Sequence, residues 1–308
     1  MVGRILSFGL LLLAIVVAGG LAWLYTPDER RDVLTAEYAR PPSMFVDVAG
    51  LRLHVRDTGP RTAPAIVFLH GFGASLQTWE AWAQDLERDH RVIRYDLPGF
   101  GLTGADPSGD YTDARSIAVL LTLMDRLGVA RASLVGNSMG GRIAWTFAAT
   151  HPERVDRLVL VSPDGFASPG SAYGVAPTVP LMMRALPYVL PSFMLRASLA
   201  PAYANPGTIT DALFRRYRDM MLAPGVRRAI VARMAQQVLI DPVPLLKRIA
   251  APTLVMWGEK DGMIPFANAA DYMRALPHAT LAALPDVGHL PQEEAPATVG
   301  IVRAFLER

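Results

Sequence analysis

Short, mostly apolar runs recur along the middle of the chain: Ala65 to Leu69, Val92 to Tyr95, Ala132 to Val135, Leu158 to Val161 and Thr253 to Trp257. Runs of this length suit strands buried on both faces of a parallel sheet. Helical patterns separate most of them, among them Thr112 to Leu127 and Met139 to Thr150. Alternating β and α elements predict an α/β protein whose mostly parallel central sheet is flanked by helices. Ahead of this series, Phe45 to Val48 and Leu51 to Val55 alternate on either side of Gly50, which predicts a β-hairpin.

The alternation fails between about Phe166 and Leu245, a stretch rich in proline, methionine and arginine. Pro180 to Pro187 and Val226 to Val238 pattern as short amphipathic helices, so residues 166–245 read as a helical insertion between two parts of one core, 44–165 and 246–308.

At the other end, Ile5 to Tyr25 is apolar apart from Ser7, with Arg4 before it and Asp28-Glu29-Arg30-Arg31 after it. As a helix these residues span roughly 30 Å, the thickness of a bilayer core. Residues 1–26 are therefore expected to be a transmembrane anchor, or a signal segment cut near Gly20-Leu21-Ala22, with 27–43 as a tether or short surface helix. Arginine counting does not settle orientation. The extreme N-terminal position favours an inner-membrane anchored protein with a periplasmic catalytic domain.

Composition narrows the classes. The 308 residues are 51% apolar, enough for a large core, and the formal net charge of +2 gives no support to a nucleic-acid partner. With no cysteine, disulfides, zinc-thiolate sites and thiol nucleophiles are excluded.

Gly136-Asn137-Ser138-Met139-Gly140 lies where the Ala132 run gives way to the Met139 helix. A serine flanked at ±2 by glycine on a strand-to-helix turn presents its hydroxyl above the sheet edge, where a base can reach it. His70-Gly71-Phe72-Gly73 ends another strand and can aim backbone N–H groups at an oxyanion. The N–H groups of Phe72 and Met139 are the expected pair of donors. Asp261 follows the Thr253 strand and His289 follows the run Leu281 to Leu284, giving the order Ser138, Asp261, His289. In such a triad the histidine takes the serine proton and the aspartate fixes its tautomer. Asp164 competes for the acid's place because it ends the strand before the insertion; the setting of Asp261 suits the order better. Asp96 is expected to hold a turn together. No metal or cofactor is expected.

Taken together, His70-Gly71-Phe72-Gly73, Asp96-x-Pro98-Gly99-x-Gly101, Gly136 to Gly141, Gly258-x-x-Asp261 and Gly288-His289 occur in an order that resembles the α/β-hydrolase fold superfamily. The resemblance runs from about Met44 to the C-terminus and makes 166–245 a helical lid, or cap. It implies a serine hydrolase acting on carboxylic esters of apolar acyl groups, here tethered to the membrane. Gly136 to Gly141 also resembles carbon–carbon bond hydrolases of ring-cleavage products, although Phe72 and Leu290 depart from their pattern. A ligand-binding protein that keeps the fold without turnover is the non-enzymatic alternative. The arginines of the insertion (Arg184, Arg196, Arg215, Arg216, Arg218, Arg227, Arg228 and Arg233) read as a solvated helix face, with a basic surface toward anionic lipid as the alternative.

Overall fold

The computed structural model describes residues 7–12, 19–20, 22, 24–167 and 172–308. The first hairpin joins β1 (Ser43–Val48) to β2 (Leu51–Thr58) through Ala49 and Gly50. Both turn residues have positive φ, 48° and 81°, the geometry that matches strand twist. The apolar runs then form β3 (Ala65–Leu69), β4 (Arg91–Tyr95), β5 (Ala132–Asn137), β6 (Val155–Val161) and β7 (Thr253–Gly258), and β8 (Ala279–Leu284) closes the series. Among the described residues they make one sheet in the order β1-β2-β4-β3-β5-β6-β7-β8. It is antiparallel at β1–β2 and β2–β4 and parallel elsewhere, as the run pattern predicted.

Alternate residues of a central strand feed two separate layers. Ile66 and Phe68 of β3 pack with Trp79, Trp82 and Phe305 on one face, while Val67 and Leu69 pack with Leu120, Ile143 and Phe147 on the other. β3 lies between β4 and β5, so the strand order reverses there, and a crevice opens beyond the carboxyl ends of β3 and β5. His70 and Ser138 follow those two ends directly.

Between β6 and β7 the described chain is helical, with a 3₁₀ turn at Leu181–Ala185 and helices Ser192–Leu199, Asp211–Met221 and Val226–Gln236. The Thr210 hydroxyl accepts from the Leu213 N–H and caps the second of these. Residues 168–171 of the expected insertion lie outside the described residues.

The N-terminal expectation is corrected. Residues 1–6, 13–18, 21 and 23 of the expected anchor lie outside the described residues. Among the described residues no helix is long and apolar enough to cross a membrane. The far end of the expected span is also committed to the protein body, because Tyr25 bridges Val189 and the Thr26 N–H donates to the Tyr188 carbonyl at 2.8 Å. Inner-membrane anchoring through this segment, and the periplasmic placement drawn from it, therefore do not stand. Further along, helix Arg31–Tyr38 lies against the body: Arg31 donates to the Leu102 carbonyl and the Tyr38 hydroxyl to Asp219.

Candidate active site

β5 ends at Asn137, and Ser138 turns the chain into helix Met139–Thr150 with φ 54° and ψ −122°. Few non-glycine residues adopt such a φ, and strain of this kind persists only where the surroundings hold it. Here the Ser138 N–H donates to the Val161 carbonyl, and the Ser138 carbonyl accepts from the N–H groups of Arg142 and Asp164, each at 3.0 Å. The flanking glycines leave no room for side chains. A Cβ on Gly136 would stand 2.4 Å from the Gly140 carbonyl oxygen, and one on Gly140 would stand 2.2 Å from that of Leu69.

His289 donates from Nδ1 to Asp261 Oδ2 at 2.7 Å, and both side chains are almost wholly buried. The other Asp261 oxygen accepts from the N–H groups of Met263 and Ile264 at 2.8 and 2.9 Å, so the carboxylate is fixed at both ends. Two further bonds hold the His289 backbone: its N–H donates to the Ala202 carbonyl, and its carbonyl accepts from Asn137 Nδ2. Ser138 and His289 line the same cavity of about 590 Å³, together with Gly71, Phe72 and residues of the helical insertion.

The Phe72 N–H has no acceptor among the described residues. Met139 opens its helix, where first-turn N–H groups lack intrahelical acceptors. The buried His70 fixes the first of these donors. Its Nδ1 donates to the Gly71 carbonyl at 2.8 Å while its Nε2 accepts from the Leu97 N–H at 2.9 Å. The Gly71 carbonyl and the Phe72 N–H belong to one trans peptide, so holding the carbonyl points the N–H the opposite way. Burial pushes the His70 pKa below the ordinary histidine value, against the pull of nearby Asp96.

The competing acid is engaged elsewhere. Asp164 faces the buried Arg142 guanidinium at 3.1 Å, and Arg142 also faces Asp113. Asp96 is fully buried and accepts from the Leu76 and Leu102 N–H groups and from His54. Burial opposes its charge, but His54, His70 and these bonds together hold its carboxyl below the usual range. His54, His90 and His151 bond to Asp96, Asp89 and Thr150 and do not line the cavity. Among the described residues no cluster of His, Asp or Glu is placed to hold a metal ion.

Three insertion arginines are structural, in contrast to the solvated face read from the sequence. Arg216 is paired with Glu293, Arg227 with Asp28, and Arg233 donates to the Tyr111 and Pro98 carbonyls. Burial lowers the Arg233 pKa to about 10. The sequence reading also passed over Asn137 and Ala202, which hold the histidine backbone, and Leu24, which lines the cavity. Adjacency to Ser138 was the one available signal for Asn137; a backbone carbonyl such as that of Ala202 leaves none.

A family model described as the alpha/beta hydrolase fold matches residues 64–296. The chain is 30% identical over 259 residues to the 2-hydroxy-6-oxo-6-phenylhexa-2,4-dienoate hydrolase of Burkholderia cepacia, covering 80% of this chain and 88% of that enzyme. Among solved structures, a bacterial membrane phospholipase A superposes with a TM-score of 0.74 at 26% identity, over 99% of this chain and 98% of the other. A hydrolase from Pseudomonas aeruginosa PA01 superposes with a TM-score of 0.74 at 27% identity, over 87% of this chain and 99% of the other.

Proposed function

The chain belongs to the alpha/beta hydrolase fold family, and on that premise we propose that it is a serine hydrolase of neutral carboxylic esters with apolar acyl groups. Ser138 Oγ attacks the ester carbonyl while His289 takes its proton. Asp261, bonded to Nδ1, keeps Nε2 free for that task and stabilises the imidazolium that forms. The oxyanion is held by the N–H groups of Phe72 and Met139. His289 returns the proton to the leaving alkoxide, and water then attacks the acyl-enzyme by the same route in reverse.

The character of the cavity wall carries this reading. Apart from His289 its lining is mostly Leu, Met, Val and Ala, and among the described residues it contains no Asp, Glu, Lys or Arg. A carboxylate buried there would have no cation to meet it, at a cost of several kcal/mol. An acyl chain needs no counter-charge there and gains about 0.8 kcal/mol per buried methylene, before the cost of ordering the chain. Carbon–carbon bond hydrolysis is the second reading, favoured by the identity to the dienoate hydrolase, whose named substrate is an acid.

Turnover of p-nitrophenyl esters and of a 2-hydroxy-6-oxo-dienoate on one enzyme preparation separates the two. Ester hydrolysis is expected to exceed dienoate cleavage in kcat/KM by about a hundredfold, about 2.7 kcal/mol of transition-state binding. Dienoate cleavage as fast as ester hydrolysis would give the site to the second reading.

A further inference from the structure

The segment just before helix Arg31–Tyr38 does more than lead into the body. Tyr25 forms a β-bridge with Val189, the Thr26 N–H donates to the Tyr188 carbonyl, and the Leu190 N–H donates to Thr26 Oγ1. On its other side, the Thr26 carbonyl and Asp28 Oδ1 both accept from Arg227, each at 2.7 Å. Asp28 Oδ2 accepts from the Gly225 N–H, and the Glu29 N–H donates to the Leu222 carbonyl. Leu24 to Glu29 is thus a strap laid across two parts of the cap, the 186–190 loop and the 222–227 turn. Its first residue reaches the cavity, where Leu24 lines the wall with Met182, Leu186, Val189 and Met194.

Tyr25, the next residue, bridges Val189 of the cap, whereas Ser138 and His289 follow β5 and β8 at the sheet end of the same cavity. Leu24 therefore sits where the far part of a bound chain would lie, not beside the reacting carbonyl. It is also partly open to solvent, at 36%, as is the cap lining residue Met182 at 68%, so this wall includes the rim of the opening. We infer that the Leu24–Glu29 strap is part of the substrate site, and that Leu24 sets how long an acyl chain the cavity accepts. The inference rests on the acyl-hydrolase reading of Ser138 and extends it to a specificity-determining residue from outside the catalytic core.

The test uses the full chain and a series of alkyl fluorophosphonates from butyl to hexadecyl, whose rates of Ser138 labelling are measured alongside hydrolysis of the matching p-nitrophenyl esters. Leu24→Trp fills the cap end. The ratio of long-chain to short-chain labelling is expected to fall at least about tenfold, since a few methylenes displaced from an apolar pocket are worth that much. Leu24→Ala opens the same end and is expected to move the preferred length upward. The paired substitutions, one adding volume and one removing it, keep the result independent of a general loss of fold, which would lower all lengths together. Ratios within about twofold of the wild-type value in both variants, with labelling intact, would overturn the role of Leu24. Labelling that follows chain length without any ester turnover would instead reject the ester reading and leave the strap's role standing. A wild-type enzyme that no fluorophosphonate labels would remove the nucleophile, and the inference with it.

Discussion

Asn137 Nδ2 stands 3.1 Å from the His289 carbonyl oxygen and 3.1 Å from that of Val161, so the residue before the serine ties the histidine loop to the end of β6. The bond is short in space but joins positions 152 residues apart. It constrains the proposed base from the turn that carries the proposed nucleophile.

Asn137→Ala removes that tie without touching Ser138 or the His289 side chain. Because the ring is placed by its backbone, kcat is expected to fall on the order of tenfold to a hundredfold with KM nearly unchanged, as for other small displacements of a catalytic group. Steady-state kinetics on a short p-nitrophenyl ester measures both. A kcat within about twofold of wild type would show that Asp261 and Ala202 suffice to place the histidine.

The two aspartates make a paired test. Asp261→Asn presents an amide to His289 Nδ1 in place of an acceptor that fixes the tautomer, and turnover is expected to drop by about 10⁴. Asp164→Asn weakens the contacts to Gln237 and to Arg142, which keeps Asp113, and is expected to lose less than about tenfold. The opposite ranking in kcat/KM would transfer the acid's role to the end of β6.

How legible these features were from sequence depends on whether the determining interaction is local. The hairpin about Gly50, the parallel strands and the Ser138 turn are dictated by residues within a few positions of one another. Their alternation, run length and glycine spacing survive in the one-dimensional record. The steric demand on Gly136 is of the same kind, since a side chain there would strike the Gly140 carbonyl, whereas that on Gly140 comes from Leu69 at the distant end of β3. The strap is the reverse case. Thr26 meets Tyr188 and Asp28 meets Arg227 through backbone groups and one ion pair almost two hundred residues apart, and neither pattern nor composition marks such pairs. Run length alone favoured a membrane span for Ile5 to Tyr25; it carries no information about Tyr25 pairing with Val189. Arginines on a helix likewise read as solvent-facing until their acceptors are known, and those of Arg233 are carbonyls in the 98–111 region.

The strap's ion pair should be measurable in stability. Arg227 is almost fully buried and Asp28 is partly exposed, so Asp28→Asn leaves a buried guanidinium with two carbonyl partners but no counter-charge. A loss of about 1–2 kcal/mol is expected, discounted from the larger values of wholly buried pairs for the exposure of Asp28. In a chain of this size that corresponds to a fall in Tm of roughly 2–6 °C. Adding Arg227→Met to Asp28→Asn should recover part of the loss, because the unpaired charge is gone. Independent, additive losses in that cycle would mean that the two side chains do not interact.

Acidification should destabilise the fold through His70 before it reaches the carboxylates. In the folded protein the ring donates from Nδ1 to Gly71 and accepts at Nε2 from Leu97, so it is satisfied only when neutral, and a second proton would set N–H against N–H. Burial accordingly holds its folded pKa below the unfolded value of about 6.5. The unfolded chain then binds the extra proton first as pH falls, and stability declines from about pH 6.5 down to the folded pKa, by up to about 1.4 kcal/mol per pH unit for this one group. Asp96, whose folded pKa is also depressed, stabilises the protein above about pH 3.9 and adds its own loss only further down, as its carboxyl takes up a proton. Urea unfolding at pH 7.5, 6.5 and 5.5 should show the first decline in the wild-type protein. His70→Gln, which retains a donor and an acceptor but cannot titrate, should have a lower stability at pH 7.5 and a shallower slope below pH 6.5. An identical slope in both proteins would assign the acid sensitivity to other groups.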